Sequence, residues 1–177
     1  MSYDRQLERW TVHHRVGWLN PVFEGLSWIG GQGLVWLAIA GVLAFCWRRP
    51  WLFLQVALAD LAAQLVSSGL KHWIGRARPS EVHASPKPLV RAPHDSSFPS
   101  GHATASFACA TILAFYAPRA APAFFLLAAA IAWSRVYVGV HYPLDVLGGA
   151  VLGVAIAIAL RWLLRVPRRL RRATPAG

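Results

Sequence analysis

The chain has 177 residues, 56% of them hydrophobic and 14% charged, with a net charge of +11. So low a charged fraction, with the apolar residues gathered in long blocks, argues against a soluble helical bundle. Six arginines fall in the last 17 residues, directly after an apolar stretch, so the basic excess reads as a membrane-flanking tail and no nucleic-acid partner is expected.

Residues 1–29 alternate charge with Leu7, Trp10, Val12 and Leu19 until Asn20-Pro21 breaks the run; Phe23, Leu26 and Trp28 mark a short second piece. This predicts an amphipathic helix lying at the interface, because a spanning helix would bury Arg5, Glu8, Arg9, His13, His14 and Arg15. The first span is expected at about Gly33 to Trp47. It falls short of the roughly 20 helical residues a bilayer core needs unless Ile29 to Gln32 join it. Trp47-Arg48-Arg49-Pro50-Trp51 predicts a tight interfacial turn, and a second span follows from Trp51 to about Leu70. On it Asp60, Gln64, Ser67 and Lys71 share one face. Two readings stand for that stripe: a functional surface facing the bundle interior, or polar glue between helices.

Residues 72–98, with Pro79, Pro86, Pro88 and Pro93, read as a long loop, and loops of that length are often functional. Three more spans are expected at Ser100 to Ala117, Ala121 to Val138, and Pro143 to Leu164. The last carries Gly149 and Gly153 as a small-residue pair for close packing. Cys46 and Cys109 both lie in apolar stretches, which suits small packing residues and not a disulfide or metal pair. The fold class is therefore all-α: a polytopic transmembrane bundle of about five spans plus an N-terminal interfacial helix, six helices in one domain over 1–177. Residues 1–29 form the interfacial part, 72–98 the active-site loop and 165–177 a basic cytoplasmic tail.

Five spans put Lys71, Ser100, Arg135 and Asp145 on one side of the membrane. Lys and Arg number nine on each side; setting aside Lys71, Arg78 and Arg135 as ligand binders leaves nine against six in favour of a cytoplasmic tail. The expected location is a bacterial plasma membrane, with the site on its outer face.

Phe98-Pro99-Ser100-Gly101-His102 carries the chemistry most openly. Pro99 stops any preceding helix, Ser100 is a good N-cap, and the first turn beyond it offers free N–H groups to an anion. His102 sits in that turn. Upstream lies Lys71-x6-Arg78-Pro79, and downstream Ser134-Arg135-x5-His141-x3-Asp145. The ordered triplet resembles the type 2 phosphatidic acid phosphatase superfamily, which also contains the vanadium haloperoxidases, and it covers roughly half the chain.

Phosphoryl transfer needs neutralised phosphate oxygens, an in-line nucleophile and an acid for the leaving oxygen. Arg78 and Arg135 have planar forks that match phosphate, Lys71 adds a point charge, and Ser100 and Gly101 complete the cradle. His141 has Asp145 four residues on, which can hold one ring nitrogen and leave the other as nucleophile. The resemblance implies that His141 forms a phosphohistidine, that Asp145 orients it, and that His102 is the general acid. It also implies that Lys71, Arg78, Ser100, Gly101 and Arg135 bind phosphate. No cofactor and no metal site are expected. His13, His14, His72, His83 and His94 read as solvated; Asp95 reads either as a head-group contact or as a turn with Ser96 and Ser97.

The function expected is a membrane lipid phosphatase whose substrate partner is a lipid phosphate in the bilayer. Its favoured substrate is a polyprenyl diphosphate such as undecaprenyl diphosphate, cleaved to the monophosphate. Phosphatidylglycerol phosphate, phosphatidic acid and a prenyl-phosphoribose lipid are alternatives. So are a lipid phosphotransferase and a non-catalytic binder of anionic lipid. A haloperoxidase is disfavoured by the apolar spans.

Overall fold

A computed structural model describes the backbone of residues 3–83 and 85–172, and the side chains among these except Gln32 and residues 165–172. The described chain is helical throughout, with no strand. Its helices are α1 (Tyr3–His13), α2 (Asn20–Ile29), α3 (Leu34–Cys46), α4 (Pro50–Ile74), the single turn α5 (Pro79–Val82), α6 (Gly101–Tyr116), α7 (Ala121–Tyr137) and α8 (Pro143–Arg172). The end of the tail expected at 165–177 lies outside the described residues.

The bundle is built around α6, which packs on α4, α7 and α8. Its small residues make that possible: Ala103, Ala105, Ser106, Ala108 and Ala110 are all buried. Gly149 and Gly153 let α8 rest directly on the α6 backbone. A methyl group added at Gly149 would lie 2.6 Å from the Ser100 carbonyl oxygen, and one at Gly153 would lie 2.2 Å from that of Thr104. The small-residue pair read from the sequence is thus a helix–helix contact.

Among the described residues, three stretches are long and apolar enough to cross a membrane: Pro50–Val82, Pro118–Tyr137 and Pro143–Leu164. A fourth counts if Gly17–Ile29 and Leu34–Cys46 are taken as one span bent by 65°. This revises the expected first span. Residues 29–32 do not lengthen α3, because a 3-10 turn at Gly31–Gly33 and the left-handed Gly33, at φ 69°, break the chain there. The helix that precedes the break is α2, which the sequence placed in the interfacial segment. Helix α6, the expected third span, has 16 residues and is enclosed by its neighbours.

Helix α1 is amphipathic as expected, but its polar face is the one turned inward. Asp4, Glu8, Thr11 and Val12 are buried against the protein, while Tyr3, Leu7 and Trp10 stay exposed. Glu8 is therefore buried after all. The expected loop at 72–98 begins later, since α4 continues to Ile74 and ends on the left-handed Gly75, and α5 interrupts it. The loop is tied down at several points. Arg9 donates to the Ser85 carbonyl, Arg15 to those of Lys87 and Tyr137, and the Leu89 N–H to that of Val138.

Gly153→Ala should force α6 and α8 apart, costing about 1–3 kcal/mol as an overpacked contact. Gly69→Ala on α4 meets nothing within 4 Å and should be neutral or gain about 0.5–1 kcal/mol from helix propensity. Thermal melts of both variants in the same detergent check the contrast.

Candidate active site

The α4 C-terminus, the following loop, the α6 N-terminus and the α7–α8 turn converge at one end of the bundle. Gly75 ends α4, and Arg78 follows in extended backbone. Arg78 is fully buried and joins two segments. Its Nε and Nη2 donate to the carbonyl and carboxylate of Asp95, at 2.8 and 2.6 Å. Its Nη1 donates to the Val140 carbonyl at 2.9 Å and lies 3.2 Å from His141 Nε2. Lys71, in the last turn of α4, places Nζ 2.6 Å from the other Asp95 oxygen.

His141 is buried in the α7–α8 turn, with Nδ1 3.5 Å from Asp145 Oδ2. That is a long contact, and Nδ1 has no closer partner. Asp145 is held firmly from three other directions. The Ser97 hydroxyl, the Tyr142 N–H and Arg76 Nη1 all donate to it. Arg76 also pairs with Asp4, lies 4.4 Å above the Tyr142 ring, and so links α1 to the carboxylate behind His141. Asp4 in turn accepts the Leu144 N–H in the first turn of α8.

His102 stands in the first turn of α6 with Nε2 3.2 Å from the Ser27 carbonyl oxygen. It lines a cavity of about 230 Å³ together with Gly30, Gln64, Ser67, Lys71 and Asp95. Gly101 lines the same cavity. Arg135, buried in the last turn of α7, donates to the Ser27 hydroxyl. The Ser100 N–H donates to the Asp145 carbonyl, and its buried hydroxyl oxygen has no partner. His141 does not line this cavity; Arg78 lies against its Nε2.

All eight residues singled out from the sequence are in this one region. Arg76, Asp95, Ser97, Ser27 and Asp4 belong to it as well, outside the residues that the motifs single out. Asp95 resolves into an ion-pair partner of Lys71 and Arg78. Its signal was the polar run just before Phe98-Pro99. Of the other histidines, His13, His14, His72 and His94 are exposed, as expected, and His83 is half-buried.

Burial is the main reason the His141 imidazole is held down at about 4; Arg78 and Arg135 push the same way, against the pull of Asp145. Burial alone would raise Asp95, yet its bonds to Lys71 and Arg78 hold it at about 2. His141 Nε2 is therefore a free base at neutral pH. Between about 6.5 and 4 the unfolded chain takes up this proton and the folded one does not, so the contribution to stability falls as pH drops through that window. Histidine-selective NMR of the solubilised protein should show His141 neutral from pH 7 to about 5. Activity that depends on Nε2 should be lost as pH falls through about 4.

Residues 52–169 match the family model of the PAP2 superfamily. Phosphatidylglycerophosphatase B of Bacillus subtilis is 33% identical over 170 residues, covering 88% of this chain and 80% of that protein. An undecaprenyl-diphosphatase of Sulfolobus acidocaldarius is 27% identical over 86% of this chain and 74% of its own. A crystal structure of a transmembrane PAP2-type phosphatidylglycerolphosphate phosphatase from Bacillus subtilis superposes with a TM-score of 0.74 at 30% identity, over 92% of this chain and 84% of that one. With the family model spanning well over half the chain and this fold beneath it, the protein belongs to the PAP2 superfamily.

Proposed function

We propose that this protein is an integral membrane lipid phosphatase that acts without a metal, through a phosphohistidine on His141. The observation that carries the reading is the pairing of His141 with Arg78 on its Nε2 side and Asp145 on its Nδ1 side. It supports a nucleophilic imidazole with a carboxylate near one nitrogen and, at the other, a cation suited to phosphate oxygens.

In the first step His141 Nε2 attacks phosphorus and the bond to the leaving oxygen breaks. His102 gives its proton to that oxygen, and Asp145 stabilises the positive charge that forms on the imidazole. In the second step water attacks the phosphohistidine, His102 takes the water's proton, and the P–N bond breaks to release inorganic phosphate. Lys71, Arg78, Arg135 and the Ser100–Gly101 turn offset the charge on the transferring group. The protein's own cations fill the role that a metal ion serves in other phosphatases.

The substrate class is a lipid-linked phosphate or diphosphate whose tail stays in the bilayer. A polyprenyl diphosphate, cleaved to the monophosphate, is the first candidate and is supported by the undecaprenyl-diphosphatase relative. Phosphatidylglycerol phosphate is the second, supported by the phosphatidylglycerophosphatase relative, which matches over more of the chain. Phosphatidic acid and a prenyl-phosphoribose lipid complete the panel. An acceptor other than water would make the enzyme a phosphotransferase. An outer-face site in the plasma membrane is supported by the charge balance: with Lys71, Arg78 and Arg135 set aside as ligand binders, nine Lys and Arg stand at the opposite end against six.

Phosphate release from this panel in detergent should persist with EDTA; loss that Mg²⁺ restores would sink the mechanism. His141→Ala should abolish turnover and trapped phosphoenzyme on every substrate. His102→Ala should cost about 10²–10⁴-fold on a lipid alkoxide leaving group and markedly less on p-nitrophenyl phosphate, whose leaving group needs little protonation. Equal losses on both substrates would contradict the acid role.

Orientation is checked separately. A membrane-impermeant thiol reagent applied to intact cells should label Lys87→Cys and not Thr174→Cys, and the reverse pattern would put the site inside.

A further inference from the structure

We infer that Asp95 is a specificity-determining residue, whose carboxylate occupies the phosphate position between Lys71 and Arg78 and yields it to terminal phosphates but not to phosphodiesters. The inference rests on the reading that these two cations receive the scissile phosphate.

The two oxygens of Asp95 are divided between the two motif cations. Oδ2 lies 2.6 Å from Lys71 Nζ and Oδ1 2.6 Å from Arg78 Nη2. That is the bridging arrangement a phosphate would take with two of its oxygens. The other N–H groups of Arg78 face the carbonyls of Asp95, Val140 and Ser96, and the His141 ring. The backbone acceptors are fixed parts of the loop and turn. The Asp95 side chain is 45% exposed, against 0% for Arg78 and 11% for Lys71. It lines the cavity that His102 also faces. The carboxylate can therefore swing outward, while its own carbonyl stays bonded to Arg78 Nε and keeps the loop in place. A lipid phosphate reaching His141 Nε2 must make that exchange.

The exchange has a charge threshold. Asp95 is ionised at any working pH and brings one negative charge on two oxygens. A phosphodiester also brings one charge and two free oxygens, so replacing the carboxylate with it gains little. A terminal phosphate brings about −1.5 to −2 charges and three acceptor oxygens at pH 7. The third oxygen can be met by Arg135 or the α6 N-terminus. The surrounding bilayer is made largely of phosphodiester lipids, so a site of bare cations would fill with them. A built-in carboxylate competes with these bulk lipids and gives way to the rarer substrate, which is specificity through a repulsive element. A purely structural clamp predicts the reverse, since loss of Asp95 would then loosen Lys71 and Arg78 and weaken every anion.

The test compares competitive inhibition by inorganic phosphate and by dimethyl phosphate, a soluble phosphodiester, with p-nitrophenyl phosphate as substrate. It uses the purified full-length protein in detergent. The native enzyme should bind inorganic phosphate at least about 10-fold more tightly than dimethyl phosphate; equal affinities would overturn the inference without any variant. In Asp95→Asn the inhibition constant for dimethyl phosphate should fall about 10-fold or more, that for inorganic phosphate less, and the ratio should shrink. Mixed micelles containing phosphatidylglycerol should then inhibit the variant and not the native enzyme. Asp95→Glu, which keeps the charge, should retain the native ratio. An unchanged ratio in Asp95→Asn, or both constants rising, would overturn the filter and leave a clamp. If inorganic phosphate binds equally well to the native protein, Lys71→Met and Arg78→Lys, the phosphate cradle itself is misassigned and the filter falls with it.

Discussion

Lys71, Arg76 and Arg78 lie within eight residues at the end of a helix embedded in apolar surroundings, and their like charges have to be balanced there. The protein has only seven acidic residues. Four of them turn to this segment. Asp95 pairs with Lys71 and Arg78, Asp4 and Asp145 pair with Arg76, and Glu81 accepts the Arg78 N–H. These partners come from α1, the loop and α8, so charge balance itself draws distant elements together. Removing one partner would leave a charge stranded beside the fully buried Arg78 or Asp145. The catalytic carboxylate of the proposed mechanism is one member of this network, and its geometry is inherited from the others.

The cavity beside His102 has a different origin. Helices that pack along their whole length leave no room near the middle of a bundle. Here α2 and α3 part at Gly30–Gly33 and meet at an angle of 65°. Close approach demands the glycines. A methyl group at Gly30 would lie 2.3 Å from the Ile131 side chain, and one at Gly33 2.2 Å from the Asp60 carboxylate. The break brings Ser27 and Gly30 against His102 and Arg135, and opens a polar space that Gln64 and Ser67 line from α4. Of the polar stripe noted on α4, Asp60 and Ser67 are buried, and Gln64 lines the cavity and donates to one Asp60 oxygen.

His141 and Asp145 were legible because four residues across a turn into a helix bring two side chains together with little help from elsewhere. The motif triplet was legible for the same reason, each part being a local segment at a helix end. Arg76 was not. It lies two residues before Arg78 in the same loop, yet one side chain turns to Asp145 and the other to Asp95. Nothing in their spacing decides which. The sequence does not decide between a turn and a ligand contact for Asp95, because its partners are 17 and 24 residues away and chosen by the fold. Periodicity showed that α1 has a polar and an apolar side. Only tertiary contact with α7 and α8 settles that the polar side is the buried one. The bent α2–α3 pair is hard to read from the sequence because its two halves differ in composition, the first carrying Glu24 and the second almost wholly apolar.

The bond network that runs from Asp4 through Arg76 to Asp145 also fixes when the enzyme can come into being. Chains are made from the N-terminus at roughly 5–20 residues per second, so Asp4 enters the membrane long before the turn that holds His141 and the first residues of α8. Until that turn arrives, Arg76 lacks one of its two carboxylates, Asp4 lacks the Leu144 N–H, and Arg78 lacks the Val140 carbonyl. A ribosome-bound chain stopped before the α7–α8 turn thus has Lys71 and Arg78 of the proposed phosphate cradle but neither His141, the proposed nucleophile, nor Asp145 beside it. The membrane receives a hydrolase of its own lipids only when the last helix is in place.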